Sequence, residues 1–208
     1  LADLVTASSS QTNVLCRGNS TGVAVISVAG GNGVYTYTWS HDANNNTATA
    51  SSLAAGTYTV SVVDALGCAD DGDVSFTITQ PATVVSSSST QTNVNCYGGA
   101  TGVIDLTAQG GTEAGTYDYS WVNDANAGVV IATTEDLASL AAGDYTCTIT
   151  DDNGCTTTEA VTITQLADLV TTNSSQTNVN CFGASTGVAV VGVTGGNGVY
   201  TYTWSHDA

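Results

Sequence analysis

The chain has 208 residues, one basic side chain (Arg17) against eighteen Asp and Glu, a formal net charge of −17, and no Met. So few cations cannot neutralise phosphates, which excludes nucleic-acid binding, and anionic membrane surfaces would repel the chain. Lys chemistry is closed, the 42% hydrophobic content is too high for acidic disorder, and no apolar run approaches the roughly 20 residues of a membrane helix. With no Met, and with Leu1 opening no signal peptide, the sequence reads as a window taken from a longer array.

In chain order, period-2 alternation predicts strands at 3–8 and 21–28, then at 34–39, where Tyr35, Tyr37 and Trp39 share one face. Further strands are expected at about 46–52, at 57–63 with Tyr58, Val60 and Val62 on one face, and at 73–79. Turn signals separate them at Gly30–Gly33, Asp42–Asn46, Ala55-Gly56 and Leu66-Gly67. The pattern then recurs. QTNV stands at 11, 91 and 176, each time two residues before Cys16, Cys96 or Cys181. AAGTYTV at 54–60 matches AAGDYTC at 141–147, DALGC at 64–68 matches DDNGC at 151–155, and TITQ closes both copies. Residues 166–208 repeat 1–43 almost unchanged.

The expected organisation is two complete copies, 1–81 and 82–165, and the truncated first half of a third, 166–208. Short strands at this spacing predict an all-β fold of tandem immunoglobulin-like β-sandwich repeats, six to seven strands each. Tyr37, Trp39, Tyr58, Tyr119, Trp121 and Tyr145 are the expected structural core, and GDYTC at 143–147 reads as a tyrosine corner. The linkers around Pro81 and Leu166 lack a Gly/Ser spacer, so an extended rod is the expected shape.

The motifs CYGGATG (96–102), Gly110 to Trp121, LAAGDYT (140–146) and DDNGC (151–155) together resemble the SprB-type repeats of very large surface adhesins in gliding bacteria. That resemblance implies long extracellular filaments and a shape related to polycystic-kidney-disease-type domains. The first and third copies depart from it in carrying GGNGVY where prolines are frequent, and Cys147 is an addition.

Six cysteines in such a chain point to an oxidising compartment. The repeat register suggests Cys16–Cys68 and Cys96–Cys155 as disulfides within each copy, with the partner of Cys181 beyond residue 208. Cys147 takes the inward place of Val60 and reads as a buried free thiol, with Cys155 or Cys96 as rival partners. No cofactor is called for. Calcium at Asp64, Asp70, Asp71 and Asp73 is a secondary reading, since the spacing matches no calcium loop and Asp is common in turns.

No catalytic residue is assigned: His41 and His206 are repeat equivalents, the second copy has Val122-Asn123-Asp124 after its Trp, and no nucleophile motif recurs. Arg17, with counterparts Tyr97 and Phe182, reads as a variable surface position or a contact between neighbours. Asn19, Asn45 and Asn173 open glycosylation sequons by pattern alone.

The sequence thus predicts the stalk or fibre of a secreted surface adhesin, extracellular and non-enzymatic. Its partners would be neighbouring repeats of the same chain and, through lateral self-association, other filaments. A glycan- or surface-binding module and accessory domains of a secreted hydrolase are the alternatives.

Overall fold

The computed structural model describes residues 3–70, 72–112, 116–126 and 128–205. In the first copy the alternating segments become β1 (Val5–Thr12), β2 (Gly22–Ala29), β3 (Tyr35–Trp39), β4 (Thr49–Leu53), β5 (Gly56–Asp64) and β6 (Val74–Ile78). They form two antiparallel sheets, ordered β1-β2-β4 and β3-β5-β6. The second copy has β7 (Ser86–Thr92), β8 (Gly102–Gln109), β9 (Tyr117–Asn123), a 3-10 turn at Asp124–Asn126, β10 (Val130–Ala132), β11 (Leu137–Leu140), β12 (Gly143–Asp151) and β13 (Thr156–Ile163). Its sheets, β11-β8-β7 and β10-β9-β12-β13, repeat the same order with one added edge strand. β14 (Val170–Thr177) and β15 (Val188–Thr194) pair as the first two strands of the third copy. This is an all-β chain whose strand order is that of an immunoglobulin-like sandwich. Among the described residues there is no helix long and apolar enough to cross a membrane.

The chain forms two compact units, one of Leu1–Ser86, Ala108–Asp118 and Ile149–Thr157, the other of Ser87–Thr107, Tyr119–Thr148 and Thr158–Ala208. In the first unit, side chains from both sheets of the first copy meet in one core. Ala24 and Ile26 come from one sheet, Val60 and Phe76 from the other, with Trp39 between them, and its ring centroid lies 5.8 Å from that of Phe76. Trp39 is fully buried yet satisfied, since its indole N–H donates to Thr47 O at 2.9 Å. Tyr37 and Tyr58 are only half-buried, packed against this core. Tyr58 Oη donates to Ala54 O at 3.0 Å, the bond of a tyrosine corner.

The second unit is centred on Trp121, which is also fully buried and donates to Thr134 O at 3.0 Å. Tyr145 is buried, with its hydroxyl on Ala141 O at 3.0 Å, while Tyr119 is half-buried. Cys147 is a buried free thiol, and burial pushes its pKa up. Trp204, the third counterpart of Trp39, is 40% exposed. Trp39 pairs with Val60 of β5 and its ring meets Phe76 of β6, and residues 166–208 hold no counterpart of either strand.

One recurring glycine is fixed by packing. A Cβ on Gly22 would lie 2.6 Å from Ile78 Cγ2 and 2.8 Å from Leu53 O; on Gly102 it would lie 2.8 Å from Ile163 Cγ2 and 2.9 Å from Leu140 O. The Thr-Gly-Val triplet that opens β2 and β8 therefore lets the last strand of the copy close over the opposite sheet. Gly102→Ala should destabilise the chain by about 1–3 kcal/mol through overpacking. Gly72→Ala, where a Cβ meets nothing within 4 Å, should be near neutral. Chemical denaturation of the two variants gives the comparison.

Candidate functional site

The loop after β1 carries Cys16, and the repeated motifs explain how it is held. Asn13 of QTNV accepts a hydrogen bond from Thr79 N at 3.0 Å, and Val14 N donates to Thr79 O at 2.9 Å. Gln80 of TITQ accepts from Gly18 N at 2.8 Å. The second copy repeats all three contacts: Thr164 N to Asn93 Oδ1 at 2.8 Å, Val94 N to Thr164 O at 2.9 Å, and Gly98 N to Gln165 Oε1 at 2.8 Å. QTNV and TITQ are therefore two halves of one clamp, which fixes the cysteine loop against the segment leading into the next copy. Both motifs are visible in the sequence, but neither names the other as its partner. Their constant positions relative to the linker were the available signal. Arg17 tightens the first clamp by donating to Pro81 O at 3.2 Å and Ala82 O at 2.7 Å.

The other cysteine of each copy lies in a turn built on a carboxylate. Asp64 Oδ1 accepts from Leu66 N and Cys68 N, both at 2.9 Å, and its Oδ2 accepts from Asn32 N at 3.0 Å. Asp151 does the same with Asn153 N at 3.0 Å, Cys155 N at 2.8 Å and Thr112 N at 3.1 Å. One buried side chain thus ties the Asp-x-x-Gly-Cys turn to the Gly-Gly turn across the sheet. Gly67 and Gly154, at φ 81° and 79°, supply the left-handed residue that each turn needs. For Asp64, the Cys68 N–H is the main cause holding the pKa below the ordinary value, outweighing burial, with Leu66 and Asn32 adding to it. For Asp151, burial pushes upward, but the N–H donors of Cys155, Thr112 and Asn153 together win and the pKa is lowered.

The cysteine pairing corrects the sequence reading. Cys16 is bonded to Cys155, 139 residues away, with Cα atoms 5.5 Å apart. Cys16–Cys68 and Cys96–Cys155 do not form, and Cys68, Cys96 and Cys181 are exposed thiols. The reason is the direction of β1. Cys68 sits beside Asp70, whose carboxylate accepts from Thr6 N and Thr6 Oγ1 near the start of that strand. Cys16 follows the strand's other end, at Thr79. Eight residues at ~3.3 Å each separate the two ends by about 26 Å, where a disulfide tolerates about 7 Å between Cα atoms. The Asp151 turn instead approaches the Cys16 loop, with Asn153 Nδ2 donating to Leu15 O at 3.5 Å.

The remaining candidates resolve differently. Asp64 directs both carboxylate oxygens at backbone N–H donors, three in all. Asp70 is engaged with Thr6, Asp73 is exposed, and Asp71 lies outside the described residues. Among the described residues no group of three or more His, Cys, Asp or Glu is placed to hold a metal ion. His41 packs edge-on to Trp39 and Tyr58, while His206 lies outside the described residues.

The family model for the SprB repeat matches the chain at residues 8–44, 88–126 and 173–208. No curated protein sequence matches it. Among solved structures, the chain is similar to the three N-terminal domains of the outer capsid protein Hoc of bacteriophage RB49, at 16% identity and TM-score 0.40, covering 93% of this chain and 69% of that one. It is similar to the eight N-terminal Ig domains of Down Syndrome Cell Adhesion Molecule, at 11% identity and TM-score 0.42, covering 79% and 25%. A third similarity is to the amphioxus IgVJ-C2 molecule, at 14% identity and TM-score 0.30, covering 78% and 97%.

Because both turn carboxylates have lowered folded pKa values, the stability they contribute is complete above the ordinary Asp value of about 4 and is lost as pH falls through the lowered values. Asp151→Asn should lower Tm at pH 7 and flatten the fall in Tm below about pH 4. Thermal melts from pH 7 to pH 2 check this, and an unchanged acid profile would count against the clamp.

Proposed function

Since the chain belongs to the SprB-repeat family, we propose that it is a non-catalytic structural region of a secreted bacterial surface adhesin, extracellular and acting as a stalk or fibre. The observation that carries this reading is the covalent bond from the first copy to the second. A bond joining successive copies serves a load-bearing array, whereas a catalytic or ligand-binding domain needs only its own copy intact. The proposed domains are the copies 1–81 and 82–165, followed by the start of a third.

Mechanically, Cys16–Cys155 removes residues 17–154 from the path of tension along the chain. A pull on the two ends passes through the sulfur–sulfur bond, so strands β2 to β12, which lie between those cysteines, are shielded from it, while β1 and β13 stay outside the closed loop. A surplus of seventeen negative charges keeps neighbouring chains apart in solution, and a single Arg leaves trypsin-like proteases almost no cleavage site.

Antibodies raised against the chain should label intact cells of the source bacterium. Label appearing only after lysis would overturn the surface assignment. In single-molecule stretching, a reductant should add roughly 450–500 Å of contour length, the extended length of the 139-residue separation. Equal lengths with and without reductant would overturn the load-path mechanism.

A further inference from the structure

Cys96 is an exposed thiol in the same surroundings as the bonded Cys16. The cleft beside Cys16 is lined by Arg17, Thr83, Val84, Val85 and Gly111, and by the turn Gly154–Thr156 that brings Cys155. The cleft beside Cys96 is lined by Tyr97, Ala167, Asp168, Leu169 and Gly196. These residues correspond one to one. A Cβ on Gly110 would collide with Val84 O, and one on Gly195 with Asp168 O. A Cβ on Gly111 would press on Val85, and one on Gly196 on Leu169. The two cysteine loops also close through the same turn, with Asn19 N on Cys16 O and Gly99 N on Cys96 O, both at 3.1 Å. The clefts measure about 290 Å³ with the cysteine turn beside Cys16 and 410 Å³ beside Cys96. The one lining element without a counterpart beside Cys96 is the Asp-x-x-Gly-Cys turn, and the sequence contains no such turn after Gly196.

We propose that Cys96 is the site of a second copy-to-copy disulfide, whose partner is the cysteine of an Asp-x-x-Gly-Cys turn completing the third copy. In an array continued by the same rule, Cys181 would bond to the copy after that and Cys68 would receive the loop of a preceding copy. The bonds form an overlapping series in which each copy is closed into a loop with the next. Each bond forms by oxidation: two thiols lose two protons and two electrons, and a small-molecule or enzyme disulfide takes them up to become two thiols. Tyr97, 57% exposed where the first copy has Arg17, becomes part of the covered junction once the turn docks. The inference rests on the reading of the chain as a repeat array, but it concerns connectivity and not cellular location. Its failure would leave the surface-label result untouched.

The test uses residues 1–204 extended by residues 122–165, so that Trp204 continues as Trp121 does and the third copy gains its own Asp-x-x-Gly-Cys turn. The chain is oxidised in a glutathione redox buffer, alkylated and mapped without reduction. The expected map contains Cys16–Cys155 and a new peptide joining Cys96 to the added turn cysteine. Alkylation of Cys96 should fall at least tenfold relative to the 208-residue chain, and Cys96→Ser should leave the added turn cysteine free. A second chain, residues 1–165 followed by residues 82–165, presents the same loop and turn through a complete natural copy and guards against misfolding of the graft. If Cys96 stays alkylatable in both chains while Cys16–Cys155 forms, or if the added turn cysteine pairs with Cys181, the proposal is overturned.

Discussion

In each complete copy a buried aspartate at the end of the tyrosine strand collects N–H donors from two turns that are far apart in sequence, and most of what is distinctive here follows from it. Asp151 fixes the Gly-Gly turn through Thr112 and the cysteine turn through Asn153 and Cys155. A carboxylate is suited to this task because it accepts several N–H bonds at once, and hydrogen bonds to a charged acceptor are stronger than neutral ones. Replacing the carboxylate by an amide would keep one acceptor oxygen and leave the donors of the other turn facing an NH2 group. The carboxylate therefore decides where the cysteine of the turn points, and the clamp of QTNV on TITQ decides where the cysteine of the loop points.

These two devices lie at opposite ends of a sandwich. A turn at one end and a loop at the other cannot meet within a copy, but the loop of one copy lies beside the start of the next. The observed bond between Cys16 and Cys155 is the consequence. It converts a stability element into a connector: the bond does not close one small domain upon itself, it holds two successive copies together.

Much of the architecture was legible in the sequence because it depends on local alternation. Tyr35, Tyr37 and Trp39 alternate with threonines, and the resulting strand has Trp39 on the core with its indole satisfied. The tyrosine corner was readable from GDYTC because Tyr145 reaches back only four residues, to Ala141 O. The clamp was less legible. Asn13 and Thr79 are 66 residues apart, and nothing within either motif names its partner. Asp64 was visible as an acidic turn residue, but whether such a residue meets a cation or a set of N–H groups depends on the backbone around it.

The sequence by itself determined the repeat, most of the strands and the inward face of the two tyrosine-bearing strands, since these follow from periods of two residues and from the recurrence of whole motifs. It also established that the two kinds of cysteine occupy constant places in each complete copy. Only the tertiary structure decided which cysteines meet. Register along the repeat makes Cys68 the natural partner of Cys16, but a covalent bond needs two Cα atoms within a few ångströms, and β1 carries them to opposite ends of the sandwich. Proximity in space is set by the direction of the strands, and that direction brings Cys155 of the following copy to Cys16.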